Sequence, residues 1–167
     1  PDSSAAVSGG DDAGFSSNIT ITGNLFFDVD SAATAKIGNY YTFINNTVVH
    51  QTITGGLDSE GGVLNLGDQG TATGAGVYSE ANILADCEQL LRFYNPAQSV
   101  VTFNNNLMDF NWTGPGAGNS SGEPLFQHVP VMAETTFSNW SDSQIMKQWL
   151  SLKSGSPAVG TGPNRRD

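Results

Sequence analysis

Charged residues are scarce in this chain, and basic residues are the scarcest of them. Asp, Glu, Lys and Arg make up 13% of the 167 residues, about half the share found in an average soluble protein. Six residues are Lys or Arg and sixteen are Asp or Glu, so the net charge is −10 at pH 7. Six cations cannot form the basic stripe that neutralises phosphates, which argues against nucleic acid as a partner. The acidity is compatible with divalent cations or simply with solubility.

Cysteine and long apolar runs are also nearly missing. Cys87 is the only cysteine, so no disulfide can form within the chain, and we expect its side chain to be a small buried apolar group. No apolar run reaches the roughly 20 residues that a membrane-spanning helix needs, which predicts no membrane insertion. The chain starts at Pro1 without a recognisable signal peptide, and we expect a mature, processed or excised piece.

Glycine, asparagine and aromatic residues are plentiful. Twenty Gly, nine Phe, four Tyr and three Trp are typical of a β-rich, turn-rich protein and unlike a disordered one. The chain length fits a single domain. Five Asn-x-Ser/Thr sequons would allow N-glycosylation in a suitable host, although chance matches are expected in this composition. The sequons begin at Asn18, Asn45, Asn111, Asn119 and Asn139.

One short pattern occurs four times and organises the middle of the chain. In each copy an asparagine precedes an apolar step and follows alternating apolar residues. The asparagines are Asn24, Asn46, Asn82 and Asn106, spaced by 22, 36 and 24 residues. A degenerate repeat of this length with strand-like alternation predicts a solenoid, in which each rung buries its apolar face by stacking on its neighbours. We therefore predict an all-β fold of about four to five rungs.

The prediction divides the chain into three parts. Residues 1–17 are a loop or the tail of an earlier rung, residues 18–112 are the repeat rungs, and residues 113–167 form a loop, a helix and closing turns. Residues 83–91 fit a helical face as well as strands, although their register with the other rungs favours strands. One short helix over residues 141–152, with Ser141 and Gln144 as a capping box, is expected to pack on the rungs.

The rungs and the tail resemble right-handed parallel β-helix proteins of the pectate-lyase-like superfamily. Residues 155–162, Gly-Ser-Pro-Ala-Val-Gly-Thr-Gly, are similar to the closing motif of many secreted bacterial members, and residues 124–126 are similar to the Pro-Leu-Phe that introduces it. The resemblance implies a right-handed parallel β-helix whose repeat asparagines stack in a turn between two sheets. It also implies a secreted, extracellular or cell-surface location. Because the family normally has more rungs, we expect the C-terminal part of a longer β-helix, packed against further rungs from another segment or chain.

The repeat frame also predicts a candidate catalytic site. Asp28, His50, Asp86 and Phe110 each stand four positions after a repeat asparagine. Equivalent positions of adjacent rungs stack about 4.8 Å apart, so the first three side chains would form a carboxylate–imidazole–carboxylate column. Such a column can move protons at a glycosidic bond, or it can be a polar ladder that is satisfied by its own neighbours.

A second cluster predicts a metal site. Asp28 and Asp30 alternate onto one face of a strand, and Asp11 and Asp12 would lie about one rung earlier. Carboxylate oxygens are ligands that Ca²⁺ prefers, so these four residues are the candidate calcium site, or else solvated loop carboxylates. Superfamily lyases hold Ca²⁺ in this way and abstract a proton with Lys or Arg. The basic candidates that the resemblance implies are Lys36 and Arg92.

The sequence therefore predicts two functions from different classes. The first is a polysaccharide-contacting protein, as a polysaccharide lyase or a glycoside hydrolase. Several aromatic side chains could stack on sugar rings, although a place in the core or its cover is the simpler expectation; they are Tyr40, Tyr41, Tyr94, Trp112 and Trp140. The alternative is a non-catalytic structural, surface or filament-forming module. His128 is expected to cover the tail and not to bind a ligand.

Overall fold

The computed structural model of the protein describes residues 5–9, 18–35, 40–53, 61–66, 76–93 and 100–160. These ranges contain thirteen strands, a 3-10 helix at Met132–Thr135 and two short α-helical stretches. The strands, in chain order, are β1 Ala5–Gly9, β2 Asn18–Thr22, β3 Leu25–Val29, β4 Ser31–Ala35, β5 Tyr40–Ile44, β6 Thr47–Gln51, β7 Leu64–Leu66, β8 Gly76–Glu80, β9 Ile83–Cys87, β10 Leu91–Phe93, β11 Val100–Asn104, β12 Leu107–Met108 and β13 Ser120–Ser121.

The strands form three parallel sheets. Sheet A has the order β1-β4-β7-β10, sheet B the order β2-β5-β8-β11, and sheet C the order β3-β6-β9-β12-β13. Three successive groups of strands each give one member to every sheet, and each group lies in register on the next. This recurrence suggests a parallel β-solenoid-like arrangement, and the fold is predominantly β. The strands predicted for residues 83–91 are confirmed, because Ile83–Cys87 and Leu91–Phe93 pair in parallel with their neighbours.

The four repeat asparagines all lie at the corner between sheets B and C. Each one follows a residue with positive φ, namely Gly23, Asn45, Ala81 and Asn105. A left-handed residue turns the chain sharply, so the strand of sheet B ends there and the strand of sheet C begins just after the asparagine. The prediction that these asparagines share one corner is confirmed.

The corner asparagines form a hydrogen-bonded ladder. The backbone N–H of Asn24 donates to Oδ1 of Asn46 at 3.0 Å, and that of Asn46 donates to Oδ1 of Asn82 at 2.8 Å. The N–H of Asn82 donates to Asn106 Oδ1 at 3.0 Å, and that of Asn106 donates to Asn119 Oδ1 at 3.0 Å. Asn46, Asn82 and Asn106 are buried, so the ladder satisfies polar groups that water cannot reach.

Asn119 adds a fifth asparagine to the ladder, beyond the residues 18–112 that were predicted to form the rungs. The fifth ladder asparagine follows the fourth by only 13 residues. Ser120–Ser121 then pairs in parallel with Leu107–Met108 and extends sheet C. At the other end of the chain, Ala5–Gly9 is a strand that pairs with Ser31–Ala35, which favours the earlier-rung interpretation of that segment over the loop.

Apolar side chains fill the space between the sheets. Phe43 and Phe103 are fully buried, and the ring centroids of Phe26 and Phe43 lie 5.9 Å apart. Trp112 packs at one end of this core, 4.9 Å from the ring of Phe103. Alternation along each strand sends one set of residues inward, which is why the apolar positions of the repeat became the core.

The C-terminal segment packs on the outer face of sheet C. Its helical stretches are α1 at Trp140–Ser143 and α2 at Ile145–Trp149. Leu150 and Phe126 are buried there against Val49 and Ala85 of sheet C. The prediction of a short helix packed on the rungs is therefore confirmed. Within the described ranges, no helix has the length and apolarity needed to span a membrane.

The predicted helix boundaries are wrong at both ends. The helix begins at Trp140 with Asn139 as its N-cap, and the Asn139 side chain accepts the N–H of Asp142 at 3.0 Å. Ser141 therefore lies inside the first turn and forms no capping box. The last helical residue is Trp149, because the chain then turns to pair Leu152 with Phe126.

Candidate functional site

Asp28, His50 and Asp86 occupy equivalent positions on three adjacent strands of sheet C. The residues on either side of them pair in register, with Phe27 opposite Val49 and Val29 opposite Gln51. All three site residues have left-handed backbone, with φ of 54°, 61° and 53°. Asp and His tolerate this region better than most residues, so the backbone bend partly accounts for their presence here. The bend repeats from rung to rung and brings the three side chains together.

The three side chains are in contact. Nδ1 of His50 lies 2.7 Å from Oδ2 of Asp86, which is the distance of a charge-assisted hydrogen bond. Nε2 of His50 lies 3.5 Å from Oδ1 of Asp28. The side chains of Asp28 and His50 are 28% and 38% exposed, and that of Asp86 is 70% exposed. The predicted column therefore exists as an accessible group of polar side chains.

The hydrogen bond to Asp86 fixes the tautomer of His50. An ionised carboxylate can only accept a hydrogen bond, so Nδ1 must carry the proton that is donated to Asp86. In the neutral imidazole, Nε2 then carries the lone pair, and its nearest carboxylate oxygen is Oδ1 of Asp28 at 3.5 Å. A carboxylate that orients a histidine through one ring nitrogen, with the lone pair on the other, is an arrangement found in positioned general bases.

Asp109 extends the column, and the repeat frame missed it. Its carboxylate accepts a hydrogen bond from the backbone N–H of Asp86. The repeat predicted Phe110 at the position equivalent to Asp86. Because the strand Leu107–Met108 is only two residues long, Asp109 is the residue that contacts Asp86. The N–H bond holds the backbone of Asp86, and with it the orientation of the carboxylate that faces His50.

Gln51 and Phe27 hold His50 in place. Gln51 is fully buried, donating from Nε2 to the carbonyl of Asp30 at 2.8 Å and accepting the N–H of Gln89 on Oε1 at 3.0 Å. The ring of Phe27 lies 6.3 Å from the imidazole of His50 with an interplanar angle of 29°. These contacts fix the backbone after His50 and one face of its ring. Neither residue was predicted, because both roles depend on contacts between rungs.

A groove of about 400 Å³ adjoins Asp28. It lies between sheet C and the C-terminal segment. The lining residues are Leu25, Phe27, Asp28, Met132, Thr135, Phe137 and Met146. Five of these seven are apolar and one is charged, so the groove is an apolar space with a carboxylate in its wall.

The predicted calcium site lies only partly within the described residues. Asp11 and Asp12 lie outside the described residues. Asp28 lies near the end of β3 with a left-handed backbone, and Asp30 directly follows that strand, so the calcium site stays a prediction. Within the described ranges, no three His, Cys, Asp or Glu side chains group as metal ligands.

The remaining candidates are scattered over the molecule. Tyr41 is buried and donates its hydroxyl to the carbonyl of Thr34, and Trp112 packs on the core, whereas Tyr40 and Trp140 are exposed. Arg92 lies in sheet A, where it pairs with Asn65. Lys36 and Tyr94 lie outside the described residues. None of the described ones contributes to the column.

Cys87 and His128 behave as structural side chains. Cys87 is partly buried against the core, and burial, followed by the charge of Asp109, raises the pKa of its thiol from 9.0 to about 12. His128 packs its ring edge-on against Trp149 at 5.1 Å and contacts the carboxylate of Glu134 at 3.0 Å. This position agrees with a residue that covers the tail.

Comparison of the chain with protein-family models, with curated proteins and with solved structures found no significant match to any of them.

Proposed function

We propose that this chain is a right-handed parallel β-helix module of a secreted or cell-surface protein of the pectate-lyase-like kind, which contacts polysaccharide and transfers protons at a glycosidic bond. The observation that carries the proposal is the 2.7 Å contact between His50 Nδ1 and Asp86, with Nε2 left facing Asp28. In this proposal His50 is the proton acceptor and Asp86 orients it. Asp28 contacts the sugar beside the reacting atoms.

The spacing of the groups favours elimination over hydrolysis. A glycosidase separates its two catalytic carboxyl groups by about 6.5–9.5 Å if it is inverting and by about 5–5.5 Å if it is retaining. Nε2 of His50 and the carboxylate of Asp28 lie only 3.5 Å apart, so both act from one side. In an elimination on one side, His50 takes the proton from the carbon next to the uronate carboxylate. The neighbouring carbon–oxygen bond breaks as a double bond forms between the two carbons, and the protonated His50 returns its proton to the leaving oxygen.

A uronate polymer would bring negative charge to an acidic protein, so the lyase form of the proposal includes a cation. The proposed ligands are Asp11, Asp12, Asp28 and Asp30, with Ca²⁺ as the ion because it prefers carboxylate oxygens. The cation would screen the substrate carboxylate and acidify the adjacent C–H bond. An increase of the melting temperature with Ca²⁺ that is reversed by a chelator, and reduced in Asp30→Asn, is the expected result.

The catalytic proposal is tested with His50→Gln and Asp86→Asn, assayed by the absorbance of the unsaturated product on uronate polymers. We expect His50→Gln to lower kcat by about 10²–10⁴-fold, the usual contribution of a general base. Asp86→Asn is expected to lower kcat less and to change its pH profile, because the amide no longer imposes the tautomer. Val100→Gln, at an exposed position in sheet B, is the control. Wild-type rates in His50→Gln would refute the proposal.

A structural module is the second candidate, and the sheet edges favour it. Within the described part of the chain, β2 and β3 have strand partners on one side only, and so do β11 and β13. An open edge of a parallel sheet presents unpaired N–H and C=O groups that another strand can bind. Further rungs from another segment or a second chain would cover these edges, without any turnover.

A further inference from the structure

The groove beside Asp28 has walls that are held by contacts of their own. Thr135 donates its hydroxyl to the carbonyl of Met132 at 2.9 Å, which closes the 3-10 turn. The ring of Phe137 packs 6.4 Å from that of Trp149, which itself contacts His128. The opposite wall consists of Leu25 and Phe27, whose backbone is part of sheet C. The groove is therefore formed by two independently supported elements.

Its lining does not suit a bare sugar. Because Thr135 donates its hydroxyl hydrogen to Met132, the side chains of the lining offer hydrogen-bond acceptors only, the carboxylate of Asp28 and the oxygen of Thr135. A sugar ring placed here would lose water from several hydroxyls without regaining hydrogen bonds, at a cost of about 1–3 kcal/mol for each unpaired group. An apolar group loses nothing in this way and gains from burial against the Met and Phe side chains.

Size and charge narrow the class of ligand further. A cavity of about 150 Å³ holds benzene, so a groove of about 400 Å³ has room for more than one small ring or a medium alkyl chain. Within the described residues, the only polar contact of the Asp28 carboxylate is the 3.5 Å approach of His50. Its acceptor sites are therefore open to a hydroxyl donor, and without a bound cation its charge repels an anionic substituent.

We infer that this groove binds an aryl or medium-length alkyl substituent of a carbohydrate, with a sugar hydroxyl donating to Asp28. The inference rests on the proposed function, since it assigns a substituent to the sugar that the column would act on. Asp28 joins the two parts of the site, because it lines the groove and contacts His50. The groove then selects carbohydrates that carry such a group over those that are unsubstituted.

The methionine methyl groups give a direct test. The chain has three methionines, of which Met132 and Met146 line the groove, while Met108 is buried in the core. In the protein labelled with ¹³C at the methionine methyls, 4-nitrophenyl glucoside is expected to shift the Met132 and Met146 signals by its ring current. Met108 should stay in place. Methyl glucoside, with the same sugar, should shift none and should bind about tenfold more weakly or worse.

Two variants complete the experiment. Met132→Gln changes an exposed groove residue and is expected to weaken binding of 4-nitrophenyl glucoside, whereas Val100→Gln, at an exposed position in sheet B, should leave it unchanged. Shifts of all three methyls, equal binding of the two glucosides, or equal loss in both variants would each overturn the inference.

The failure of this inference is distinguishable from that of the proposed function. Methyl shifts in the groove without His50-dependent turnover of any polymer would keep the groove and remove the catalytic role. His50-dependent turnover with no response of Met132 and Met146 would do the reverse.

Discussion

A single ladder asparagine satisfies polar groups from neighbouring rungs on both sides. Oδ1 of Asn82 accepts the buried N–H of Asn46 at 2.8 Å, while its Nδ2 donates to the carbonyl of Phe43 and to Oδ1 of Asn106, both at 2.8 Å. Asn24, at the first ladder position, is exposed and accepts none of the described ladder bonds. The ladder is therefore strongest in its middle.

This difference predicts unequal costs for two identical substitutions. Asn82→Ala leaves the N–H of Asn46 and the carbonyl of Phe43 buried without partners, so we expect it to lower the free energy of unfolding by about 2–4 kcal/mol. Asn24→Ala keeps its own N–H donating to Asn46 and should cost less than about 1 kcal/mol. Urea unfolding followed by circular dichroism measures both. Equal losses would show that the ladder contributes little beyond local turn formation.

The thiol of Cys87 provides a second residue-scale prediction. Because its pKa is about 12, in place of 9.0, the thiolate fraction at pH 8 is about a thousandfold below that of a free cysteine. We expect alkylation by iodoacetamide to be slower by a similar factor in the folded protein and to reach the ordinary rate in denaturant. Between pH 9.0 and about 12 the unfolded chain loses the thiol proton while the folded chain retains it. The free energy of unfolding should therefore also decline as pH rises above 9.0. Fast alkylation of the native protein would contradict this.

At the scale of elements, the 3-10 helix at Met132–Thr135 depends on one carboxylate. Oε2 of Glu134 accepts the N–H of Val131 at 2.9 Å and lies 3.0 Å from Nε2 of His128. The bond from Val131, followed by that from His128, lowers the pKa of Glu134 below its usual 4.5. This helix forms one wall of the groove, so its stability bears on ligand binding.

A lowered pKa fixes the direction of the pH dependence. The contribution of Glu134 is present above pH 4.5 and is lost as pH falls through the lowered pKa, because protonation then removes the charge that Val131 and His128 contact. We expect the amide signal of Val131 to titrate with a midpoint below 4.5, and Glu134→Gln to abolish that transition. A midpoint at or above 4.5 would mean that these hydrogen bonds do not form in solution.

The sequence predicted the elements that repeat and missed those that do not. The frame set by Asn46 found the shared corner and the Asp28–His50–Asp86 column, because every rung there has the same length between corner and bend. The repeat pattern did not identify Asn119, because its rung is only 13 residues long and the strand Ser120–Ser121 contains no apolar residue. At the helix start, Asn139 and Ser141 are both good caps, and composition alone could not choose between them.

The groove could not be predicted from the sequence for a different reason. Its two walls lie about a hundred residues apart in the chain and meet through packing of the C-terminal segment on sheet C. No periodicity links Leu25 to Met146. Contacts of this kind follow from tertiary packing, which a pattern of local residues does not encode.

At the scale of the whole molecule, the open edges predict association. With β2 and β3 unpaired on one side among the described strands, we expect light scattering to give a mass above that of the 17.5 kDa chain and to rise with concentration. Asn24→Lys places a charge at the edge corner and should return the mass to that of one chain. Trp140→Lys, at a residue that is 80% exposed and away from the edge, is the control. A constant mass of one chain would exclude a second copy of this chain as the cover of these edges.

The asparagine ladder has a direction. Every backbone N–H in it donates toward the later rung, from Asn24 through to Asn119. The two extremities are therefore chemically unlike: a side-chain oxygen is presented at the first rung and a main-chain hydrogen at the last. Two molecules that meet through their first rungs would place one side-chain oxygen against another. Molecules stacked last rung to first rung would continue the ladder of hydrogen bonds. Any assembly built on this corner is consequently polar, and it grows as a chain with distinguishable ends instead of closing into a symmetric pair.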